Sequence, residues 1–236
     1  SSENASDTNR AVGSVTGAVE GQADDLLQLK PTFLIAVPRL FNRIYDGIVN
    51  LYNEKYAKPG NVYLGLVHRL DRPVSGVVLL ARTSKAASRL SRQFREGTVA
   101  KRYLAVVAGD PPGVEAMLRH HLAARGDRQG VTRAAAEPFE GSKPAELRYH
   151  VRERLRDWAL LEVELITGRR HQIRAQLALA GWPIWGDVKY GARRDPAYAG
   201  IGLHAWRLEL SHPVGARPML FEAPCPAGWP WPDSKE

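Results

Sequence analysis

A helix that carries an arginine beside its apolar stripe cannot be buried until something accepts that charge. No other feature restricts the folds open to this chain so strongly. The helix is read at about Arg170 to Ala180. Thr167-Gly168 turns the chain into it, Ile173, Leu177 and Ala180 recur on one face, and Gly181 stops it. Arg174 lies next to that face. A guanidinium does not give up its proton, and a buried charge without a partner is expensive. Either Arg174 snorkels to water or the fold supplies an acceptor. The acceptor nominated here is Asp71, about a hundred residues earlier. It lies in the turn His68-Arg69-Leu70-Asp71-Arg72-Pro73, ahead of an apolar strand. A carboxylate held ionised by a half-buried cation suits a nucleophile. By residue type alone, Asp71 reads more simply as a turn residue bonding nearby backbone N–H groups.

The remaining pattern is mixed. Residues 1–22 are small, polar and aperiodic, and are read as a disordered leader. From Ala23 to Tyr56 the texture is helical. Val37, Leu40, Phe41, Ile44 and Ile48 keep helical spacing, and Pro38 sits at a first-turn position, so a helix is expected from about Pro38 to Tyr56. Strands are expected at Val62 to Val67, Gly76 to Ala81, Thr98 to Ala108, Ala145 to Val151, Trp158 to Ile166 and Leu203 to Leu210, with a short one near Leu220. Ser84 is expected to cap a helix that buries Ala87, Leu90 and Phe94 and ends at Gly97. Glu115 to Ala136 has little periodicity. Strands outnumber helices and connections are short. The reading is therefore an α+β domain on a mixed, mainly antiparallel sheet.

With 44% hydrophobic residues the chain can bury a sizeable core. Lysine and arginine number 33 against 25 acidic residues, a formal charge of +8 that favours an anionic partner. Cys225 is the sole cysteine, which rules out an intramolecular disulfide and suits a reducing compartment. No apolar run is long enough to cross a bilayer as a helix. A cytoplasmic location is expected, or an organellar one in a eukaryote.

Several motifs in order resemble the RluA-type RNA pseudouridine synthases from about Tyr56 onward. His68-Arg69-Leu70-Asp71-Arg72-Pro73-Val74-Ser75-Gly76 is similar to HRLDxxTSG, and Gly168-Arg169-Arg170-His171-Gln172-Ile173-Arg174 to GRxHQIR. Lys101-Arg102-Tyr103, Gly186-Asp187-Val188-Lys189-Tyr190-Gly191 and Leu203-His204-Ala205 keep the family order. The resemblance implies a sheet flanked by helices with a cleft across its middle. It also implies isomerisation of uridine in structured rRNA or tRNA, with no metal or other cofactor. It gives Asp71 the part of the catalytic aspartate, Arg174 that of its ion-pair partner, and Tyr103 that of the tyrosine that stacks on the base and helps remove the C5 proton. Arg69 is the residue that enters the RNA stack when the uridine leaves. Arg72, His68, Arg170, His171 and Gln172 complete the expected RNA contacts, the two histidines also orienting their loops. Arg82, Lys85, Arg89, Arg92 and Arg95 give the following helix a basic face, either solvated or lying on RNA backbone. A monomer with no obligate protein partner is expected.

Two departures stand out. Val74 replaces a threonine, a change expected to be tolerated because Ser75-Gly76 follows intact. Ahead of the HRLD motif, the expected family strands give way to a stretch similar to an internal segment of long-chain acyl-CoA synthetases, from Asp24 to Ile48. The domains are accordingly read as 1–22 leader, 23–56 helical segment of foreign origin and 57–236 catalytic domain, with one sheet edge left unpaired. The competing reading is an RNA-binding module of the same descent that has lost catalysis. A fragment of an adenylate-forming enzyme is opposed by the lack of a phosphate-binding loop.

Overall fold

Two long strands show how the sequence sets the sheet. Ala145, Leu147, Tyr149 and Val151 are buried at every second position, and so are Ala159, Leu161 and Val163 on the next strand. A period of two puts one face of each strand on a core. A computed structural model of the chain describes residues 33–35, 65–124, 130–196, 198 and 200–231. The strands are β1 (Phe33–Ile35), β2 (Gly65–Leu66), β3 (Ser75–Gly76), β4 (Leu79–Ala81), β5 (Ala100–Ala108), β6 (Glu115–Ala124), β7 (Thr132–Ala135), β8 (Lys143–Leu155), β9 (Trp158–Leu165), β10 (Leu203–Ser211) and β11 (Pro218–Glu222). The helices are α1 (Ser84–Glu96) and α2 (Gln172–Leu179), with a 3-10 turn at Val188–Tyr190.

The large sheet runs β11-β10-β5-β9-β8-β6-β7 with antiparallel neighbours. The two-residue β3 adds to β10 in parallel. The α+β reading holds, on a mainly antiparallel mixed sheet. One face carries the core shared by Leu147, Tyr149, Leu161, Val163 and the α2 residues Ile173 and Leu177. On the other face Leu104 and Val106 pack with Trp158, Trp185, Trp229 and Trp231. These tryptophans anchor packing on that face, and Trp182 meets Tyr149 edge-on at 5.7 Å.

A separate core joins α1 to the second sheet and the end of the first, through Ala86, Leu90, Leu79, Ala81, Leu208 and Phe221. Thr83, rather than Ser84, caps α1, its hydroxyl accepting from the Ala86 N–H at 3.1 Å. Both residues suit a cap, and the chain takes the one that is still extended. Gly97 ends the helix in the left-handed conformation.

Two expectations change. The weakly periodic stretch after Glu115 is the β6–β7 hairpin, with Leu122 opposite Ala134. Within the segment read as helical, Phe33–Ile35 is a strand antiparallel to β4, and β2 pairs along the other side. β4 therefore has a partner on each side, not an open edge. The leader and the helix from Pro38 to Tyr56 lie outside the described residues. Among the described residues, no helix is long and apolar enough to cross a membrane.

Candidate active site

The turn that carries Asp71 is fastened on both sides. The Val74 N–H donates to the Asp71 carbonyl at 3.0 Å. Beyond it, Ser75 and Gly76 lie opposite His204 and Ala205 of β10. His204 Nε2 lies 2.9 Å from the Ala223 carbonyl, which can only accept, so Nε2 carries the proton and Nδ1 accepts from the Ser75 hydroxyl at 2.8 Å. Gly76 has φ +122°, and a Cβ there would fall 2.2 Å from the Ala205 carbonyl oxygen. Only glycine lets the two backbones come this close. Val74 is 4% exposed and packs in the main core, where a valine methyl is at home without any hydroxyl.

His68 closes the near side of the turn. Its Nε2 accepts from the Leu79 N–H at 2.9 Å, and its ring stacks on Phe94 of α1 at 4.6 Å. Burial, and then the charge of Lys101, push its pKa down to about 4. His68 is therefore a neutral clamp between the turn, β4 and α1. These contacts suit the loop-orienting part expected of it, with Nε2 and one ring face already engaged within the protein.

Arg69, Asp71, Tyr103, Arg170, His171 and Arg174 line one cleft of about 380 Å³. Arg174 Nη1 donates to Asp71 Oδ2 at 3.1 Å. The sequence did not single out the stronger partner. Arg174 Nε and Nη2 donate to the two carboxylate oxygens of Asp187 at 2.7 and 2.8 Å. Asp187 is 1% exposed, so this is a buried fork-to-fork pair. Burial opposes the guanidinium charge, but the hydrogen bonds and charges of Asp187 and Asp71 outweigh it and raise the Arg174 pKa. Asp71 thus shares its cation with a second carboxylate and does not own it.

His171 occupies the residue before α2 with φ +51°, a left-handed conformation unusual for a side chain other than glycine. Its Nε2 stands 3.7 Å from Asp71 Oδ2, and its Nδ1 lies 2.8 Å from the Tyr190 hydroxyl. Burial first, with Arg174, Arg170 and Lys189, lowers its pKa against the opposing pull of Asp71. The Tyr190 ring also lies under the Arg174 guanidinium, 5.0 Å from its centroid.

Gln172 is 3% exposed; its carbonyl accepts from the Thr167 hydroxyl and the Arg169 N–H, and its amide donates to the Glu146 carbonyl. Those bonds bury the side chain and shape the turn into α2. Arg69, Arg72 and Arg170 are exposed. Arg170 and Lys189 converge over Gly130, where a Cβ would meet Arg170 Nη2 at 2.7 Å and Lys189 Nζ at 3.8 Å. On α1, Lys85, Arg89, Arg92 and Arg95 are exposed, but Arg89 reaches the Pro213 carbonyl and Arg92 pairs with Glu96. Part of that basic face is spent on the protein itself.

Tyr103 lies on β5 opposite Ala205 and Val163. Burial, then the neighbouring charge of Asp71, raises its pKa. The phenol therefore stays neutral, which suits a stacking surface and opposes a resident phenolate base.

Residues 48–179, more than half of the chain, match the family model described as RNA pseudouridylate synthase. The chain belongs to that family. It is 33% identical over 210 residues to the uncharacterized RNA pseudouridine synthase YlyB of Bacillus subtilis, covering 86% of this chain and 67% of that one. That span is longer than residues 57–236, so it takes in part of the segment before them. Identity is 39% over 172 residues to ribosomal large subunit pseudouridine synthase D of Nitrosomonas europaea, covering 69% of this chain and 48% of that one. It is 38% over 183 residues to ribosomal large subunit pseudouridine synthase C of Escherichia coli K12, covering 72% and 56%. The chain thus spans about half the length of these two relatives. The fold matches human RNA pseudouridylate synthase domain containing 4, with TM-score 0.68 at 22% identity over 87% of this chain and 91% of that one. Human RNA pseudouridylate synthase domain containing 1 matches with TM-score 0.63 at 25% identity, over 76% and 75%. The RluA-type motifs and the family match agree. The similarity to acyl-CoA synthetases is not among these findings.

Proposed function

We propose that the chain converts uridine to pseudouridine in structured RNA, with Asp71 as the catalytic carboxylate. The observation that carries this reading is Asp71 Oδ2 in a basic-rimmed cleft, in contact with Arg174 and beside His171. A uridine in a helix hides its reacting atoms, so it must leave the stack. The cleft, about 380 Å³, has the size of a small-molecule site. Tyr103 offers a neutral ring for the flipped base to stack on. Arg69, exposed at the mouth, is placed to fill the gap left behind. Arg72 and Arg170 supply backbone contacts.

In the reaction the glycosidic C–N bond breaks, the base turns and a C–C bond forms to the same ribose. Asp71 attacks or assists at the ribose or base. It is 23% exposed along its side chain, open enough to reach a substrate. Arg174, fixed from behind by Asp187, keeps it oriented. We read the catalytic unit as residues 57–236, which hold every cleft residue described here, acting as a monomer in the cytoplasm or an organelle. Both named relatives of known type act on large-subunit ribosomal RNA by their names. That RNA is the first substrate to test, with transfer RNA second.

The test is a nucleotide-resolution pseudouridine map of ribosomal and transfer RNA incubated with the purified chain and with Asp71→Asn. One or a few new pseudouridines with the wild type, and none with the Asn variant at unchanged RNA affinity, is the expected result. RNA binding by both with no isomerisation by either would favour the non-catalytic RNA-binding module.

A further inference from the structure

The turn between β2 and β3 at 68–76 and the strand-to-helix turn at 167–172 present the groups that meet in the cleft. Neither explains why the two donors that face Asp71, the Arg174 guanidinium and the His171 imidazole, point as they do. Both answers come from a third segment, the short turn at 187–190.

Asp187 grips Arg174 by Nε and Nη2, the far edge of the guanidinium. Only the remaining nitrogen, Nη1, is left to face Asp71. A planar fork held at two points has no rotation left. Three residues on, Tyr190 closes over the opposite side. Its ring covers the face of Arg174, and its hydroxyl reaches His171 Nδ1.

That hydroxyl also accepts from the Thr132 N–H at 2.9 Å. With one acceptor position used on a backbone donor, its single proton is free to go to Nδ1. Nδ1 is then the bare nitrogen, and the imidazole proton sits on Nε2, the atom that looks toward Asp71 Oδ2 at 3.7 Å. A carboxylate on that side favours the same tautomer. The charged and titratable groups around His171 are Asp71, Arg174, Arg170, Lys189 and Tyr190.

We propose that Asp187 and Tyr190 are positioning residues for the reaction: Asp187 aims the Arg174 guanidinium, and Tyr190 sets the His171 tautomer and ring, so that both donors converge on one oxygen of Asp71. The inference rests on Asp71 as the working carboxylate, but its geometric content does not require the substrate to be known. His171 thereby serves Asp71 and not the RNA contact expected from its motif. Thr132 ties this frame to the β6–β7 hairpin through its backbone N–H.

Two variants separate the claim from general stability. Tyr190→Phe keeps the ring over Arg174 and removes only the hydroxyl. Asp187→Asn keeps the shape and one acceptor and removes the charge. The nitrogen-15 shifts of the His171 imidazole report the tautomer in the full chain without RNA. The wild type is expected to show a bare Nδ1 and a protonated Nε2, and Tyr190→Phe a mixture. Single-turnover isomerisation by Tyr190→Phe is expected to slow roughly ten- to a hundred-fold, with RNA affinity unchanged. Asp187→Asn, if it folds, is expected to slow the same step without altering the His171 shifts. Protonated Nδ1 in the wild type, or an unchanged tautomer and rate in Tyr190→Phe, overturns the proposal. If the wild type isomerises no RNA, the functional reading fails, while the imidazole shifts still decide the positioning claim for Tyr190.

Discussion

Arg174 touches two carboxylates, and its removal has two separate costs. Asp187 would be left buried with no counter-charge, and Asp71 would lose its orienting donor. Arg174→Ala is therefore expected to destabilise the fold by about 3–5 kcal/mol and to abolish isomerisation, read by urea melts and single-turnover assay. A second variant parts the two effects. Arg174→Met together with Asp187→Leu removes the buried charges as a pair, and such replacements recover stability in other proteins. Restored midpoint with absent turnover is the expected outcome. His68 gives a residue-scale prediction in pH. Its pKa falls from 6.5 unfolded to about 4 folded, so below 6.5 the unfolded chain takes up a proton that the folded one refuses. Its contribution is full above about 6.5 and is lost as pH falls toward 4, at up to roughly 1.4 kcal/mol per pH unit. His68→Gln should flatten that part of the stability curve. At this scale the sequence showed Asp71, Tyr103 and Arg174 by their motifs, and Arg174 also by its place beside an apolar stripe. Asp187 stands in the motif from Gly186 to Gly191, but nothing in the sequence ties it to Arg174. A lone aspartate between a glycine and a valine reads as a turn, and only its distance to Arg174 gives it meaning.

Elements whose ends carry chemical punctuation were the legible ones. Helix α1 has a hydroxyl cap, an apolar face at Ala86 and Leu90, and a left-handed glycine at its end. Strands β8 and β9 alternate cleanly because one face is covered throughout. The β6–β7 hairpin is hard to read because most of its residues are only half covered, and its few large apolar side chains, Met117, Leu118 and Leu122, do not alternate. The short strand β3 was merged with β4 in the sequence reading, since Ser75 to Ala81 is one buried run. The break between them follows from Gly76, which presses on β10. Gly76→Ala would drive a methyl into the Ala205 carbonyl and is expected to cost several kcal/mol or prevent folding. If the variant folds, the parallel pairing with β10 must have opened. The Val77 N–H, now bonded to the Ala205 carbonyl at 2.9 Å, should then exchange rapidly with solvent.

For the whole molecule the question is what the front of the chain contributes. Cleft and basic rim are downstream of residue 65, so a chain beginning at residue 51 is expected to bind RNA with nearly unchanged affinity. It would also lose β1 and bare one side of β4. Exposed strand edges invite pairing with another copy. The truncated chain is therefore expected to melt lower and to self-associate, seen by light scattering, while RNA titrations stay close to those of the full chain. A large loss of affinity in a truncated monomer would make the front segment part of the RNA site.

The attachment of β3 to β10 has a consequence in time. Asp71 is synthesised well before the side chains that meet its carboxylate, His171 and Arg174, and before the 204–205 backbone that holds its turn through β3. Contacts so far apart in sequence form late and slowly. A nascent chain on the ribosome carries this carboxylate long before it has a cleft to put it in. A chain halted before residue 203 lacks β10 and is expected to show no isomerisation in the single-turnover assay.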